Sequence, residues 1–374
     1  MVTICEVKTK HQLKEFIRFP NHLYKDNPNY VPPLLMDEIA TLSPKNPARE
    51  YCRVVYWLAY RDNQVVGRIA GIINDEYIQK WKNNYARFGW IDFIDDREVS
   101  SALFNTVEEW AHRQGMEGIH GPLGFCDLDK EGLLIEGFEE MGSIITMYHF
   151  PYYREHIEAS GYAKDIDWFE FDITMPEYKP NKILSTIAQR TIQKYGLRIL
   201  KINKIKDAMP FVPQMFELIN TAYENLYGVV PLTERQIKAY TKQYIGFCNP
   251  DYISFVMDGE NKLAGFALVM PSLSQASRKS GGKLFPFGFI RLLRAIKKND
   301  TLDLYLTAVR PEYKNTGVSA ICLEHLTRNA IKNGVKHSIG SPQLETNHAI
   351  HSFWRFFDDV RIHRKRRCYL KKFG

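Results

Sequence analysis

One supersecondary pattern occurs twice in this chain, and any fold has to accommodate both copies. Residues 56–73 read as a hairpin, two strand-like runs on either side of Asp62-Asn63, a pair suited to a tight turn. Residues 253–270 have the same form, with a turn that begins at Asp258-Gly259. Gly67 and Gly265 fall at matching places, early in the second strand of each copy. The surroundings repeat as well. A helical stretch precedes each hairpin, at 10–27 and at 207–244. A strand and a helix follow each, at 88–94 and 100–114, then at 302–308 and 319–333. Each half closes with a helix and a strand, at 152–161 and 168–173, then at 349–357 and 367–371. Repetition of a whole element order implies two domains of one type in tandem. Met175-Pro176-Glu177-Tyr178-Lys179-Pro180 reads as a linker, so the domains are expected at 1–180 and 181–374.

The stretch Val309-Arg310-Pro311-Glu312-Tyr313-Lys314-Asn315-Thr316-Gly317-Val318-Ser319 joins a strand to a helix in the second half. Gly317 and Ser319 are small, so backbone can come close to a ligand. The first N–H groups of a helix lack partners and carry the positive end of its dipole, which suits a pyrophosphate. The stretch resembles the coenzyme A pyrophosphate loop of the GNAT acyltransferase superfamily. Val309, Pro311, Gly317 and Ser319 match in register, and Lys314 stands where Arg or Gln is usual. The resemblance makes Val309, Lys314, Asn315, Thr316, Gly317, Val318 and Ser319 candidate cofactor-binding residues. It implies acetyl-CoA or a longer acyl-CoA as co-substrate, and no metal. The fold it implies is α+β or α/β, two tandem GNAT-like domains, each a mixed, mainly antiparallel sheet flanked by helices.

The corresponding place in the first half reads Asp95-Asp96-Arg97-Glu98-Val99-Ser100, with three acids and no glycine. A pyrophosphate would be repelled there, so the first half is expected to be a degenerate GNAT-like domain without a cofactor loop. Further segments make the resemblance more specific. Gly121-Pro122-Leu123-Gly124-Phe125, residues 131–138 and 148–153, Leu284-Phe285-Pro286-Phe287-Gly288-Phe289 and Leu344-Glu345-Thr346-Asn347 look like a bacterial family of tandem-GNAT acetyltransferases. The activity implied is acyl-CoA-dependent N-acyl transfer by direct attack of an amine on the thioester. The alternative is a non-catalytic acyl-CoA-binding or scaffold protein.

Direct transfer needs a base for the amine, a proton for the departing thiolate and donors for the carbonyl. In the GNAT fold the fourth and fifth strands splay apart and the thioester enters the gap. Glu345 follows the expected fifth strand at 338–343 and is the candidate base; a helix-capping acid is the competing reading. Asn347 matches an Asn that contacts the coenzyme arm in GNAT proteins. Trp354 lies nearest the position where the superfamily often carries a Tyr, and an indole has no hydroxyl proton to give. Tyr223, Asn225 and Tyr227 lie in the loop that lines the acceptor site of GNAT proteins, and they are candidate substrate-binding residues; aromatic packing between helices is the competing reading.

The remaining features bear on compartment and partners. The six cysteines are scattered without zinc-ligand spacing, which suits a reduced, cytoplasmic protein. The start of the chain has no signal-peptide pattern. The net charge of +7 fits a phosphate-rich ligand, an acidic acyl carrier protein or an anionic membrane surface. Nucleic acid is disfavoured, because no concentrated basic stripe is present. The acceptor is expected to be a small amine or an amino-acid-like molecule. Residues 280–298 form an insertion rich in Phe and Leu with Arg and Lys alongside. It is expected to lie on a membrane, to cover a long acyl chain, or to pack between domains.

Overall fold

The computed structural model describes residues 1–374. Its strands are β1 (Thr3–Glu6), β2 (Cys52–Arg61), β3 (Gln64–Asn74), β4 (Tyr85–Phe93), β5 (Gly118–Gly121), β6 (Leu133–Glu136), β7 (Ala163–Thr174), β8 (Arg198–Ile199), β9 (Ile253–Met257), β10 (Leu263–Pro271), β11 (Thr301–Val309), β12 (His337–Ile339), β13 (Gln343–Leu344) and β14 (Val360–Lys372). Its helices are α1 (Lys10–Leu23), α2 (Leu35–Leu42), α3 (Asp75–Trp81), α4 (Arg97–Arg113), α5 (Tyr152–Ala159), α6 (Lys182–Tyr195), α7 (Ile205–Ala208), α8 (Val212–Ala222), α9 (Glu234–Tyr244), α10 (Ser274–Ser280), α11 (Gly288–Lys297), α12 (Val318–Lys332) and α13 (His348–His351). Contacts gather the chain into two units. Unit 1 comprises Met1–Phe169, Ser274–Phe289 and His363–Gly374; unit 2 comprises Glu170–Leu273 and Ile290–Ile362.

In unit 1 the strand order is β1-β2-β3-β4-β5-β14-β7. The hairpin β2–β3 turns at Asp62 and Asn63, both with positive φ (49° and 62°), the backbone of a turn whose twist matches that of the strands. β4 pairs with β5 in parallel at Tyr85, Ala86 and Arg87, whereas the β1–β2, β2–β3, β3–β4 and β5–β14 pairs are antiparallel. The core is aromatic: Phe88, Phe93, Phe104, Tyr153 and Tyr162 pack with Val99, Leu103 and Ile119. Each such side chain contributes roughly 1.5–3 kcal/mol by leaving water.

In unit 2 the end of β7 at 172–174 pairs with β12, and the order continues β12-β11-β10-β9-β8. β11 and β12 are parallel; β9, β10 and β11 are antiparallel. α6 and α12 cover one face, with Ala188, Val318, Ile321, Cys322 and Leu326 packed on Val256, Ala264 and Val269. The expected fifth strand at 338–343 is instead broken into β12 and β13, with Gly340, Ser341 and Pro342 between. The expected closing helix at 349–357 is a short α13 followed by a tighter turn of helix, Ser352–Phe356.

The repeat seen in the sequence is present in detail. An extra residue bulges from β4 near Trp90 (φ 43°), and another from β11 at Tyr305. Gly67 and Gly265 explain each other. A Cβ on Gly67 would meet Leu103 at 2.8 Å and Val99 at 3.0 Å on α4; one on Gly265 would meet Val318 at 2.6 Å on α12. Both glycines let the first turn of a helix pack flat on the sheet.

Candidate active site

The site in unit 2 follows from how β11 is paired. β12 accompanies β11 only from Thr301 to Asp303 and stops at Ile339. β11 runs on to Val309, and past the Tyr305 bulge it has β10 on one side only. Backbone groups facing the open side need other partners. At Thr307 both are met by one phenol: the Tyr223 hydroxyl donates to the Thr307 carbonyl at 2.9 Å and takes the Thr307 amide at 3.4 Å. Because β11 and β12 are parallel, the chain leaves both at the same end of the sheet. The 310–317 loop follows one strand and the segment with Glu345 follows the other.

The loop is held from below. Arg310 pairs with Asp258 in the β9–β10 turn, and its amide bonds the Ala264 carbonyl at 2.9 Å. Pro311–Tyr313 forms one turn of tight helix. Thr316 closes on Tyr313 through its amide (3.2 Å) and its hydroxyl (2.7 Å). Asn315 and Gly317 take positive φ, 62° and 103°. Gly317 then caps α12 with no side chain over the helix end. The amides of Gly317, Val318 and Ser319 bond no carbonyl of the chain. Lys314 and Asn315 are exposed beside them, and Val309 ends β11 opposite Gly265. A fifteen-residue helix with open first-turn amides, a cation beside them and no acid in its first turn can accept an anion. The smallness of Gly317 has a second cause: its missing side chain would run into Thr191 Oγ1 on α6, and Thr191 also donates to the Thr316 carbonyl at 3.1 Å.

The other candidates are distributed as follows. Glu345 is half-buried, one residue past β13. Asn347 caps α13, its side chain accepting the Ile350 amide at 3.4 Å. Trp354 is buried; its indole N–H donates to Gln343 at 3.3 Å and its ring packs near Phe171, centroids 5.6 Å apart. Tyr223 reaches β11 as described. Asn225 is exposed and bonds its neighbour Glu224 at 3.3 Å, and Tyr227 is half-buried further along the same loop.

Unit 1 fills both of the matching places. Asp96 caps α4, its carboxylate accepting the amides of Glu98 (2.9 Å) and Val99 (3.3 Å). Arg61 grips Asp96 and Glu98 at 2.7 Å each, and the Arg61 guanidinium holds the Asp96 carboxyl below the usual carboxylate range. At the end of β4 the Tyr153 hydroxyl bonds the Phe93 amide at 2.8 Å and its carbonyl at 3.1 Å. Tyr24 ties Tyr153 to Asp92, which is paired with Arg68 at 2.7 Å, all of it buried.

Sequence reasoning passed over a second polar cluster in unit 1. Asp127, Asp129 and Glu131 alternate in one short stretch of the chain and are half-buried. Burial pushes Asp127 and Asp129 up to about 6, and Glu131 well above the ordinary range, with Asp127 adding to it. Asp129 accepts the amides of Phe125 (2.8 Å) and Cys126 (3.2 Å), and a side chain on Gly124 would strike it. Gly121-Pro122-Leu123-Gly124-Phe125 is the sequence signal beside it. His120, Asp165 and Cys368 also bring ligand-type atoms within 4.8 Å of one another. The nearby Arg87 charge, which helps burial depress His120, opposes a cation there. An open groove of about 480 Å³ lies on α4 and the end of β14, against Glu108, His112, Lys371 and Phe373; no candidate residue lines it.

No protein-family model matches the chain. Protein YghO of Escherichia coli (strain K12) is 30% identical over 314 residues, covering 83% of this chain and 80% of that protein. The bacterial ceramide synthase of Caulobacter vibrioides (strain NA1000 / CB15N) is 30% identical over 307 residues, covering 79% and 77%. Among solved structures, a tandem GNAT protein from the clavulanic acid biosynthesis pathway superposes with a TM-score of 0.61 at 10% identity, covering 100% of this chain and 99% of that one. A GCN5-related N-acetyltransferase from Sphaerobacter thermophilus gives 0.54 at 10% identity, covering 99% and 95%. The mixed sheets agree with these likenesses: the chain has the fold of tandem GNAT proteins and belongs to the family that contains YghO and the bacterial ceramide synthase.

Proposed function

We propose that the protein is an acyl-CoA-dependent N-acyltransferase that joins a long acyl group to the amine of an amphipathic acceptor. The carrying observation is the 30% identity, over most of both chains, to a ceramide synthase. A ceramide is an amide of a fatty acid with a long-chain amino alcohol. The open amides at 317–319 and Lys314 support a phosphate-bearing acyl donor.

In this reading Lys314, Asn315 and the first turn of α12 hold the pyrophosphate, and Val309, Thr316 and Asn347 flank the coenzyme arm. The acyl thioester runs along the open side of β11. The amine nitrogen bonds the acyl carbon as the carbon–sulfur bond breaks. Glu345 takes the proton that the amine gives up. The sulfur leaves as thiolate and receives a proton from the Tyr223 hydroxyl, which regains one from solvent. Tyr223, Asn225 and Tyr227 border the acceptor. The repeat in the sequence is read as two fused GNAT-like halves divided near residue 180, of which only the second binds the coenzyme. The setting is cytoplasmic.

The test is release of coenzyme A thiol with acetyl-CoA and palmitoyl-CoA, each against sphinganine, a short amino alcohol and free amino acids. Release that requires both the long acyl donor and the long-chain amine is the expected result. Tight coenzyme binding with no thiol release for any pair would replace this reading with that of a non-catalytic acyl-CoA-binding protein.

A further inference from the structure

The insertion of the second half carries a charge imbalance that the proposed chemistry leaves unused. Between Ser272 and Asn299 there is no acidic residue, and there are seven basic ones: Arg278, Lys279, Lys283, Arg291, Arg294, Lys297 and Lys298. The whole chain has a formal net charge of +7, so the rest of it is neutral. The same segment holds four of the exposed large apolar side chains: Phe285 (75% exposed), Phe287 (64%), Phe289 (41%) and Leu293 (53%).

The backbone organises them. In unit 1, Ser277 donates to the Pro32 carbonyl at 2.6 Å, and the Gly282 carbonyl accepts the Leu35 amide at 2.9 Å. Gly282 has φ 74°, and a side chain there would strike the Pro33 carbonyl. The base of the insertion is therefore fixed. In α11, Leu292 turns inward and is buried, whereas Phe289 and Leu293, one helical turn apart, share an exposed ridge that Lys297 continues. Arg294 and Lys298 stand exposed on the adjoining face. The Phe285 ring lies 5.9 Å from the Phe289 ring, which joins the loop to the ridge. No helix of the chain is long and apolar enough to cross a membrane.

We propose that residues 283–298 dock the protein on the surface of an anionic phospholipid bilayer. Phe285, Phe287, Phe289 and Leu293 enter the boundary between headgroups and acyl chains, and Lys283, Arg294, Lys297 and Lys298 meet the phosphates. Rings and cations together on one helix and its leading loop are what an interfacial segment requires. An acidic protein partner would use the cations and leave four large apolar side chains without a role.

The test is co-sedimentation of the full chain with extruded vesicles, either phosphatidylcholine alone or phosphatidylcholine mixed with phosphatidylglycerol. Binding is expected to the anionic vesicles only and to weaken with salt. Lys297→Glu with Lys298→Glu should lower the vesicle affinity by roughly thirtyfold or more, each cation being worth about a factor of five. Phe285→Ser with Phe287→Ser should lower it at least about tenfold. Circular dichroism should be unchanged, because these side chains are exposed. Equal binding to neutral vesicles, or undiminished binding by both variants, overturns the proposal. So does a loss of self-association, or of binding to an acyl carrier protein, with no vesicle binding in the parent. Vesicle binding is read without any acyl transfer, so it stands or falls apart from the proposed reaction.

Discussion

The Tyr223 hydroxyl occupies both backbone groups of Thr307, donating to the carbonyl at 2.9 Å and receiving the amide at 3.4 Å. In unit 1, Tyr153 does the same to Phe93. The two phenols differ in their surroundings. Tyr153 is fully buried and wired to Tyr24 and Asp92, whereas Tyr223 is half-buried on a loop. One plug is locked from several sides, and the other is partly open to solvent.

Tyr223→Phe is expected to lower kcat by about a hundredfold with a smaller effect on KM, the pattern of a lost proton donor. The lost hydrogen bonds reduce stability by only about 1 kcal/mol. An unchanged kcat would remove Tyr223 from the chemistry and leave it a structural plug.

Glu345→Gln is expected to lower kcat by one to two orders of magnitude at neutral pH while coenzyme affinity holds. Steady-state rates and isothermal titration on the same preparation separate the two. Full activity across the pH range would return Glu345 to a structural role.

Gly317→Ala should weaken coenzyme A binding at least about tenfold, because a positive-φ residue gains roughly 1–2 kcal/mol of strain and the new methyl pushes on α6. Adding Thr191→Ala removes the nearer collision and should restore part of the affinity. Titration of both variants checks this. Normal affinity in Gly317→Ala would mean that the loop does not hold the phosphates.

Asp96→Ala should remove the cap of α4, lowering stability by about 1 kcal/mol. Coenzyme A should still bind at one site per chain with unchanged affinity. Two sites per chain, in the parent or in this variant, would contradict the one-site reading.

Asp129 gives a pH dependence of definite sign. Its folded pKa is about 6, raised by burial from about 3.8. Its contribution to stability is therefore full below about 3.8 and is lost as pH rises through about 6. Asp129→Asn keeps an oxygen for the Phe125 and Cys126 amides and removes that titration. The fall in urea midpoint between these two pH values should be smaller in this variant than in the parent, Asp127 and Glu131 supplying what remains. An unaltered fall would show that Asp129 does not titrate in this window.

Legibility in the sequence tracked how local the cause was. The β2–β3 hairpin could be read because two strand-like runs and the Asp62-Asn63 turn lie within a few residues. The 309–319 loop could be read because a helix end and its glycine are contiguous. The break between β12 and β13 falls on Gly340-Ser341-Pro342, a breaker that the expected strand at 338–343 ran through. The Tyr223–Thr307 bond joins residues 84 apart in the chain, and nothing in either neighbourhood announces it. Asp127, Asp129 and Glu131 were passed over because charge alone does not report burial. Trp354 could be located by register, but its bond to Gln343 could not.

One consequence of the strand order concerns synthesis rather than catalysis. In unit 1, β14 stands between β5 and β7, and Tyr369 and Leu370 pair with Gly121 and His120. Tyr369 and Leu370 lie far beyond β7 in the sequence. A nascent polypeptide that has emerged as far as β7 can form the β2–β3–β4 meander but still lacks this strand. Vectorial folding, in which an N-terminal domain finishes while the ribosome makes the next, is closed to this architecture. Until β14 has been synthesised, β5 keeps an unpaired edge that is exposed to wrong pairing.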